Sequence, residues 1–303
     1  MLLVPDFPQF RPVSNCMRDE LLPFFQKQTD GICEFTLASL LLDNYTYRYK
    51  ISRLTADTML LLGHDAAGMQ FLSVVGDLPD ADTLRTILTS SEIRQCAYIK
   101  NLSEKNVTEH AVVFSSLGLT PVLDRDNGDY LYKREDLALL RGKAFHKKKN
   151  HVNGFHAAYM ADVRPIDDET VCDALEILER WRDERLARGE DDGDFLVCSI
   201  ALQFREQMEL EGIIVYADGK PAGFSLGELI ADGTMFCTHF EKGIDGVHGI
   251  YQAVNNEQAK VLAESVTYIN REQDLGDEGL RQAKMTYRPC AFVNKYRVEV
   301  RAQ

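Results

Sequence analysis

No two of the seven cysteines lie closer than 17 residues apart, and none forms a Cys-X-X-Cys pair. That spacing gives no support to a zinc ribbon or a thioredoxin-type redox centre. Scattered thiols in apolar surroundings, such as Cys198 within Phe-Leu-Val-Cys-Ser-Ile, fit buried residues of a reducing compartment. Long hydrophobic runs are missing too: Leu40–Leu42 and Met59–Leu62 fall far short of the roughly 20 apolar residues that cross a bilayer. The opening Met-Leu-Leu-Val-Pro-Asp-Phe-Pro has neither a basic nor a long apolar region, so a cytoplasmic protein without a secretory signal or membrane insertion is expected. Positive charge is scarce, with 34 Lys and Arg against 47 Asp and Glu and a net charge of −13. Such a surface repels DNA and anionic lipid on average, so a polyanion has to be met by a local basic patch. His-Glu-X-X-His, Gly-X-Gly-X-X-Gly and Walker spacings do not occur. The expectation is therefore no metal and no serine-hydrolase, dinucleotide or P-loop chemistry.

What the chain does contain is a repeated order of elements. Thr58–Gly63 and Met69–Val75 are short apolar runs parted by Gly, Asp and Ala, which predicts a strand pair. Leu84, Ile87 and Leu88 at helical spacing follow, then a strand near Cys96–Ile99. A second helix capped by Ser103 carries Val107, Ala111 and Phe114, and strands near Leu119–Leu123 and Tyr130–Lys133 end the unit. The second half repeats this order. Gly212–Tyr216 and Ala222–Ile230 flank a turn at Asp218–Pro221, Thr234–Phe240 follows, and a helix is expected from about Val247 to Glu264. A strand at Val266–Ile269, a short helix at Asp277–Met285 and a closing strand over Ala291–Val300 complete it. Two similar domains, 1–145 and 146–303, are the simplest reading. Amphipathic stretches at 167–189 and 195–211 predict a helix pair packed on the second sheet, and the acidic run Glu190–Asp194 a solvated connection.

Three clusters could carry chemistry. From Arg141 to His151 there are five Lys and Arg and no acid. On one continuous helix Leu137, Leu140, Ala144, Lys148, His151 and Phe155 would share a face, with Lys143, Lys147 and Asn150 beside it. Lys148 and His151 interrupt the apolar stripe, so this segment is either a solvated helix with snorkelling stems or an anion-binding crossover between domains. The second cluster is Thr238–Gly243 at a strand end, followed by Gly246 and Gly249 before a helix, where unpaired amides could receive an anion. Two residues apart on a strand, His239 and Glu241 are expected on one face, as base and orienting group or as a structural pair. The third runs from Tyr268 to Gly276, with Asn270, Arg271 and Asp274 on a strand-end loop and Lys284 and Tyr287 one helix away. His64 and His110 sit among apolar neighbours as structural residues.

Taken together, the passage Tyr130–Phe155 with its His146-Lys-Lys-Lys-Asn-His151 centre, His239-Phe-Glu-Lys242, Asn270-Arg-Glu-Gln-Asp-Leu-Gly276 and Lys284-Met-Thr-Tyr-Arg-Pro289 resemble soluble proteins related to the C-terminal domain of phosphatidylglycerol lysyltransferases. The resemblance covers nearly the whole chain. It implies an α+β (mixed α/β) fold of two tandem GNAT-like domains, each a mixed central sheet flanked by helices, as in the Fem-type acyltransferases. It also implies transfer of an acyl or aminoacyl group from an anionic donor, aminoacyl-tRNA or acyl-CoA, to an amine or hydroxyl, with no tightly bound cofactor. Carried onto this chain, Lys143, Lys147 and Asn150 would hold the donor in an inter-domain cleft. Glu241, Asn270, Arg271 and Asp274 would position the acceptor, and Lys284 or Tyr287 would steady an oxyanion, worth about 3 kcal/mol, or move a proton. With acyl-CoA, the turn bearing Gly246 and Gly249 would hold the pyrophosphate. The multi-helix membrane portion of the lysyltransferases has no counterpart here, which argues against a phospholipid acceptor. The alternative on the same fold is a non-catalytic module that binds an anionic metabolite or RNA.

Overall fold

The structure is a computed structural model that describes residues 3–300. The chain divides into two compact units, Met1–Asp129 together with Val293–Gln303, and Tyr130–Phe292. Residues 130–145, expected in the first half, thus belong to the second unit, and the C-terminal segment returns to the first.

In the first unit a seven-stranded sheet runs in the order Arg11–Pro12, Lys50–Arg53, Thr58–His64, Gln70–Gly76, Tyr98–Ser103, Lys295–Glu299, Val122–Leu123. Asp80 and Ser103 open the helices Ala81–Thr89 and Glu104–Glu109 by accepting hydrogen bonds from Thr83 N (2.9 Å) and Asn106 N (3.1 Å). Leu84 and Ile87 of the first helix pack on Leu60, Leu62, Leu72 and Val74, and Val298 enters the same core. The predicted closing strand of the second half is therefore two strands: Ala291–Val293 edges the second sheet, and Lys295–Glu299 pairs between two strands of the first. Lys295 is fully buried and meets its counter-ions within the first unit: its Nζ lies 2.6 Å from Asp129 Oδ1 and also contacts Glu34. Burial works against the ammonium, but Asp129, Cys33 and Glu34 outweigh it and raise its pKa well above the ordinary lysine value. Cys33 Sγ and its backbone N–H donate to Asp129 at 3.2 and 3.1 Å, completing the cluster.

The second sheet runs Ala291–Val293, Asp129–Lys133, Tyr268–Asn270, Met235–Gly243, Lys220–Ile230, Glu211–Ala217, Ala161–Pro165. Successive residues of its central strand show how the layers are assigned. Lys242 reaches Trp181 (Nζ 4.0 Å from the ring centroid) and Asp194, so the helix Val171–Ala187 covers its face. A Cβ on the adjacent Gly243 would come within 2.8 Å of Ile250, so the helix Ile250–Val261 covers the other. Tyr130, Tyr132, Phe236, Ile269, Ala259 and Tyr287 form the core on that second face. The predicted continuous basic helix is broken. Leu140 takes a left-handed φ of +45°, Gly142 follows at +83°, and Arg134–Leu139 and His146–Ala158 are separate helices. The face shared by Leu137, Leu140, Ala144 and Lys148 therefore does not exist, although Lys148, His151 and Phe155 do lie on one helix. Among the described residues no helix is long and apolar enough to cross a membrane.

Candidate functional site

The second unit's central strand carries an extra residue. Pairing steps from Thr238↔Gly227 to Phe240↔Leu226, leaving His239 without a cross-strand partner. Gly227 permits the close approach there, since a Cβ would stand 2.0 Å from the Cys237 carbonyl oxygen. The bulge resets the alternation of faces, so His239 and Glu241 do not form the predicted pair. Instead, Glu241 makes an ion pair with Arg271, the first residue beyond Tyr268–Asn270. The guanidinium carbon lies 4.8 Å from the Tyr287 ring centroid and 5.9 Å from that of Tyr132. Lys148 Nζ approaches the Tyr287 ring at 3.8 Å. Burial, with the Arg271 and Lys147 charges adding to it, lowers the Lys148 pKa to about 8. Burial also pushes the Tyr287 phenol up to about 12, although Arg271 opposes this. Two cations of different kinds thus flank one aromatic wall, and a single carboxylate orients the permanently charged one. Such a set can grip a carboxylate, phosphate or developing oxyanion through Arg271 while Lys148 exchanges a proton near neutral pH.

The loop that carries Arg271 is held by the other predicted residues. Asp274 is fully buried and accepts from Arg281 at 2.8 and 2.9 Å, from Gly276 N at 2.9 Å and from the Tyr130 hydroxyl. Lys284 Nζ donates to the carbonyls of Arg271 (2.6 Å), Gln273 (2.5 Å) and Glu272 (3.1 Å), and Asn270 Oδ1 accepts from Glu272 N at 2.7 Å. These contacts hold Glu272 and Leu275 at left-handed φ values of +55° and +53°. In this arrangement Asn270, Asp274 and Lys284 fix the loop, and Arg271, Glu241 and Tyr287 face one another. Hydrogen bonds from Arg281 and Tyr130 outweigh burial and hold the Asp274 carboxyl well below the usual range. A depressed folded pKa gives stability that is complete above the unfolded value, near 3.9, and is lost as pH falls through the folded value. Asp274→Asn should therefore cost about 2–4 kcal/mol at pH 7 in urea unfolding, with the gap to the parent protein narrowing below about pH 4.

His239 is buried between two carboxylates, with Nδ1 2.7 Å from Glu272 and Nε2 2.9 Å from Glu228. Burial disfavours the charged ring, but Cys237, Glu228 and Glu272 prevail and raise its pKa well above the usual value. Lys143, Lys147 and Asn150 are exposed. Gly246 and Gly249 adopt φ of +83° and +82°, and Gly249 caps Ile250–Val261, whose opening residues line a cavity of about 380 Å³. A Cβ on Gly249 would meet the His151 carbonyl oxygen at 2.7 Å, so glycine is required for the helix His146–Ala158 to pass so near. Gly223-Phe-Ser225-Leu-Gly227 has the spacing of a nucleophile elbow, against the expectation that the chain holds no such serine-hydrolase pattern. It lies within a strand, however, with Ser225 only 1% exposed, and lacks the strand-to-helix turn that presents such a serine. Lys148, Glu228, Tyr132 and Arg281 were not among the predicted site residues. Lys148 alone carried a signal, as a charge on an apolar stripe.

Residues 101–299 match the family described as phosphatidylglycerol lysyltransferase, C-terminal, which takes in every side chain of this site. The chain belongs to that family. No curated protein matches it. A conserved protein of unknown function from Bacteroides thetaiotaomicron VPI-5482 is 26% identical with a TM-score of 0.84, over 96% of this chain and 99% of that one. L-PGS from Bacillus licheniformis is 12% identical with a TM-score of 0.62, over 98% and 93%. A tandem GNAT protein from the clavulanic acid biosynthesis pathway is 10% identical with a TM-score of 0.50, over 96% and 98%. The fold of this member of the phosphatidylglycerol lysyltransferase C-terminal family is accordingly mixed α/β and tandem GNAT-like, built on the two seven-stranded sheets.

Proposed function

We propose that the protein is a cytoplasmic acyl- or aminoacyltransferase that moves its group from an anionic donor, aminoacyl-tRNA or acyl-CoA, to an amine or hydroxyl acceptor. The observation that carries this reading is the Lys148–Tyr287–Arg271–Glu241 arrangement, which joins a near-neutral amine to a fixed guanidinium. In the transfer, the acceptor nitrogen or oxygen attacks the donor carbonyl carbon while Lys148 takes the acceptor's proton. Arg271, oriented by Glu241, holds the negative charge that develops on the carbonyl oxygen; the donor's C–O or C–S bond then breaks as the Lys148 ammonium returns the proton to the departing tRNA hydroxyl or CoA thiol. The glycine turn at Gly246–Gly249 and the exposed Lys143, Lys147 and Asn150 are proposed contacts for donor phosphates.

A thermal-shift screen with coenzyme A, acyl-CoA, aminoacyl-tRNA and small amines identifies the donor and acceptor, and radiolabel transfer then gives rates. kcat/KM is expected to rise with pH through about 8 as Lys148 loses its proton, then to level off. Lys148→Met should erase that limb and lower kcat/KM by about 10²–10⁴-fold. An unchanged pH profile in Lys148→Met would rule out the proton-transfer role.

A further inference from the structure

Beside the bulge, four side chains from two strands and a loop converge in a way the proposed transfer does not use. We propose that Cys237 Sγ, His239 Nδ1 and Glu272 Oε1 form a binding site for one zinc ion, with Glu228 holding the histidine ring from behind. The three donor atoms all lie within 4.8 Å of one another, with Nδ1 4.0 Å from the sulfur and 2.7 Å from the carboxylate. Zinc bonds of about 2.0–2.3 Å need shifts of roughly an ångström from these positions. Behind the ring, Nε2–H donates to Glu228 at 2.9 Å, the outer contact that fixes the tautomer and orientation of a metal-bound histidine. A thiolate, an imidazole and one carboxylate favour zinc over the hard cations magnesium and calcium, which select all-oxygen sets.

The first unit offers a contrast. Cys33, Glu34 and Asp129 are equally close, but the Lys295 ammonium already stands between those carboxylates. Among the described residues no lysine or arginine pairs with Glu228 or Glu272. Cys237 and the His239 ring are buried while the Glu272 side chain is 28% exposed, so an ion can enter from that side and a water can complete a tetrahedral shell. On binding, the thiol and Nδ1 each release a proton to solvent and no electron is transferred. The bound ion would tie the bulged strand to the loop that begins at Arg271. Sequence spacing hides such a site, since Glu272 follows His239 by 33 residues.

The test is independent of any transfer activity. The full chain, stripped with a chelator, is titrated with zinc under equilibrium dialysis and, separately, with cobalt(II) under absorption spectroscopy. Expected are one zinc per chain and a tetrahedral cobalt spectrum with a sulfur charge-transfer band. Cys237→Ser and His239→Gln should remove that band, and Glu228→Gln should weaken binding by about 10–100-fold. Fewer than about 0.1 zinc per chain at micromolar free metal, or zinc binding unaffected by Cys237→Ser, overturns the proposal. Should the variants fail to fold by circular dichroism, the cobalt spectrum of the unaltered chain decides: weak octahedral bands without sulfur charge transfer overturn it.

Discussion

Lys295→Met is expected to lower stability by about 3–5 kcal/mol at pH 7, enough to unfold a marginal domain. Methionine fills the space of the lysine stem, so packing around Val298 and the Tyr98–Ser103 strand is kept while the charge is lost. What remains is Asp129, fully buried, beside Glu34, 9% exposed at its side chain, without the ammonium that bridged them and with the Lys100 charge acting on Glu34. Two like charges in such a setting repel and are both poorly solvated, so one or both must take up a proton. The sign of the pH effect follows. In the parent protein the raised lysine pKa gives stability that is present at neutral pH and is lost only as pH rises through that folded value, on the alkaline side of ordinary lysine. In the variant the carboxylates become tolerable as they protonate, so the deficit should shrink as pH falls below neutral. Urea unfolding at several pH values measures both. A Lys295→Met protein as stable as the parent at pH 7 would show that the cluster contributes no net pairing.

A second large effect is expected from Arg271, on turnover and stability together. Arg271→Met should reduce kcat/KM by about 10²–10³-fold through loss of the oxyanion contact. It should also destabilise the second unit, because Glu241, 12% exposed at its side chain, loses its partner. Glu241→Gln keeps the shape and a hydrogen-bond acceptor, so its loss should be smaller, about 10-fold, and lie mainly in kcat. The double variant Arg271→Met/Glu241→Gln separates the two roles. Stability should largely return, as no unpaired charge is buried, while activity stays as low as in Arg271→Met. Recovery of turnover along with stability would make the pair structural.

Elements whose signal is local were legible in the sequence. Thr58–His64, Gln70–Gly76, Glu211–Ala217 and Met235–Gly243 are apolar runs bounded by turn residues, and each is a strand close to its predicted limits. The tandem order and mixed α/β class follow from such runs. The break at Leu140 was not legible, because a leucine with φ of +45° carries no compositional mark. Nor was the bulge at His239, which depends on a neighbouring strand's register and moved Glu241 away from the predicted partner. Arg271, Glu241 and Tyr287 stood out in the sequence because polar side chains cluster at and after strand ends, and the fold places the three side by side. Lys148 showed itself only as a flaw in an apolar stripe whose helix was drawn too long. The clusters around Lys295 and His239 were invisible for a simple reason. Lys295 stands 261 residues from Glu34 and 166 from Asp129, and only the folded topology brings them together.

The position of Lys295–Glu299 inside the first sheet sets an order of events during synthesis. Tyr130–Phe292 is contiguous and can close as soon as it has emerged from the ribosome. The amino-terminal unit, translated earlier, keeps an open gap beside Tyr98–Ser103, with Glu34 and Asp129 lacking their shared lysine, until Lys295–Glu299 arrives. In this chain the half made first is the half finished last.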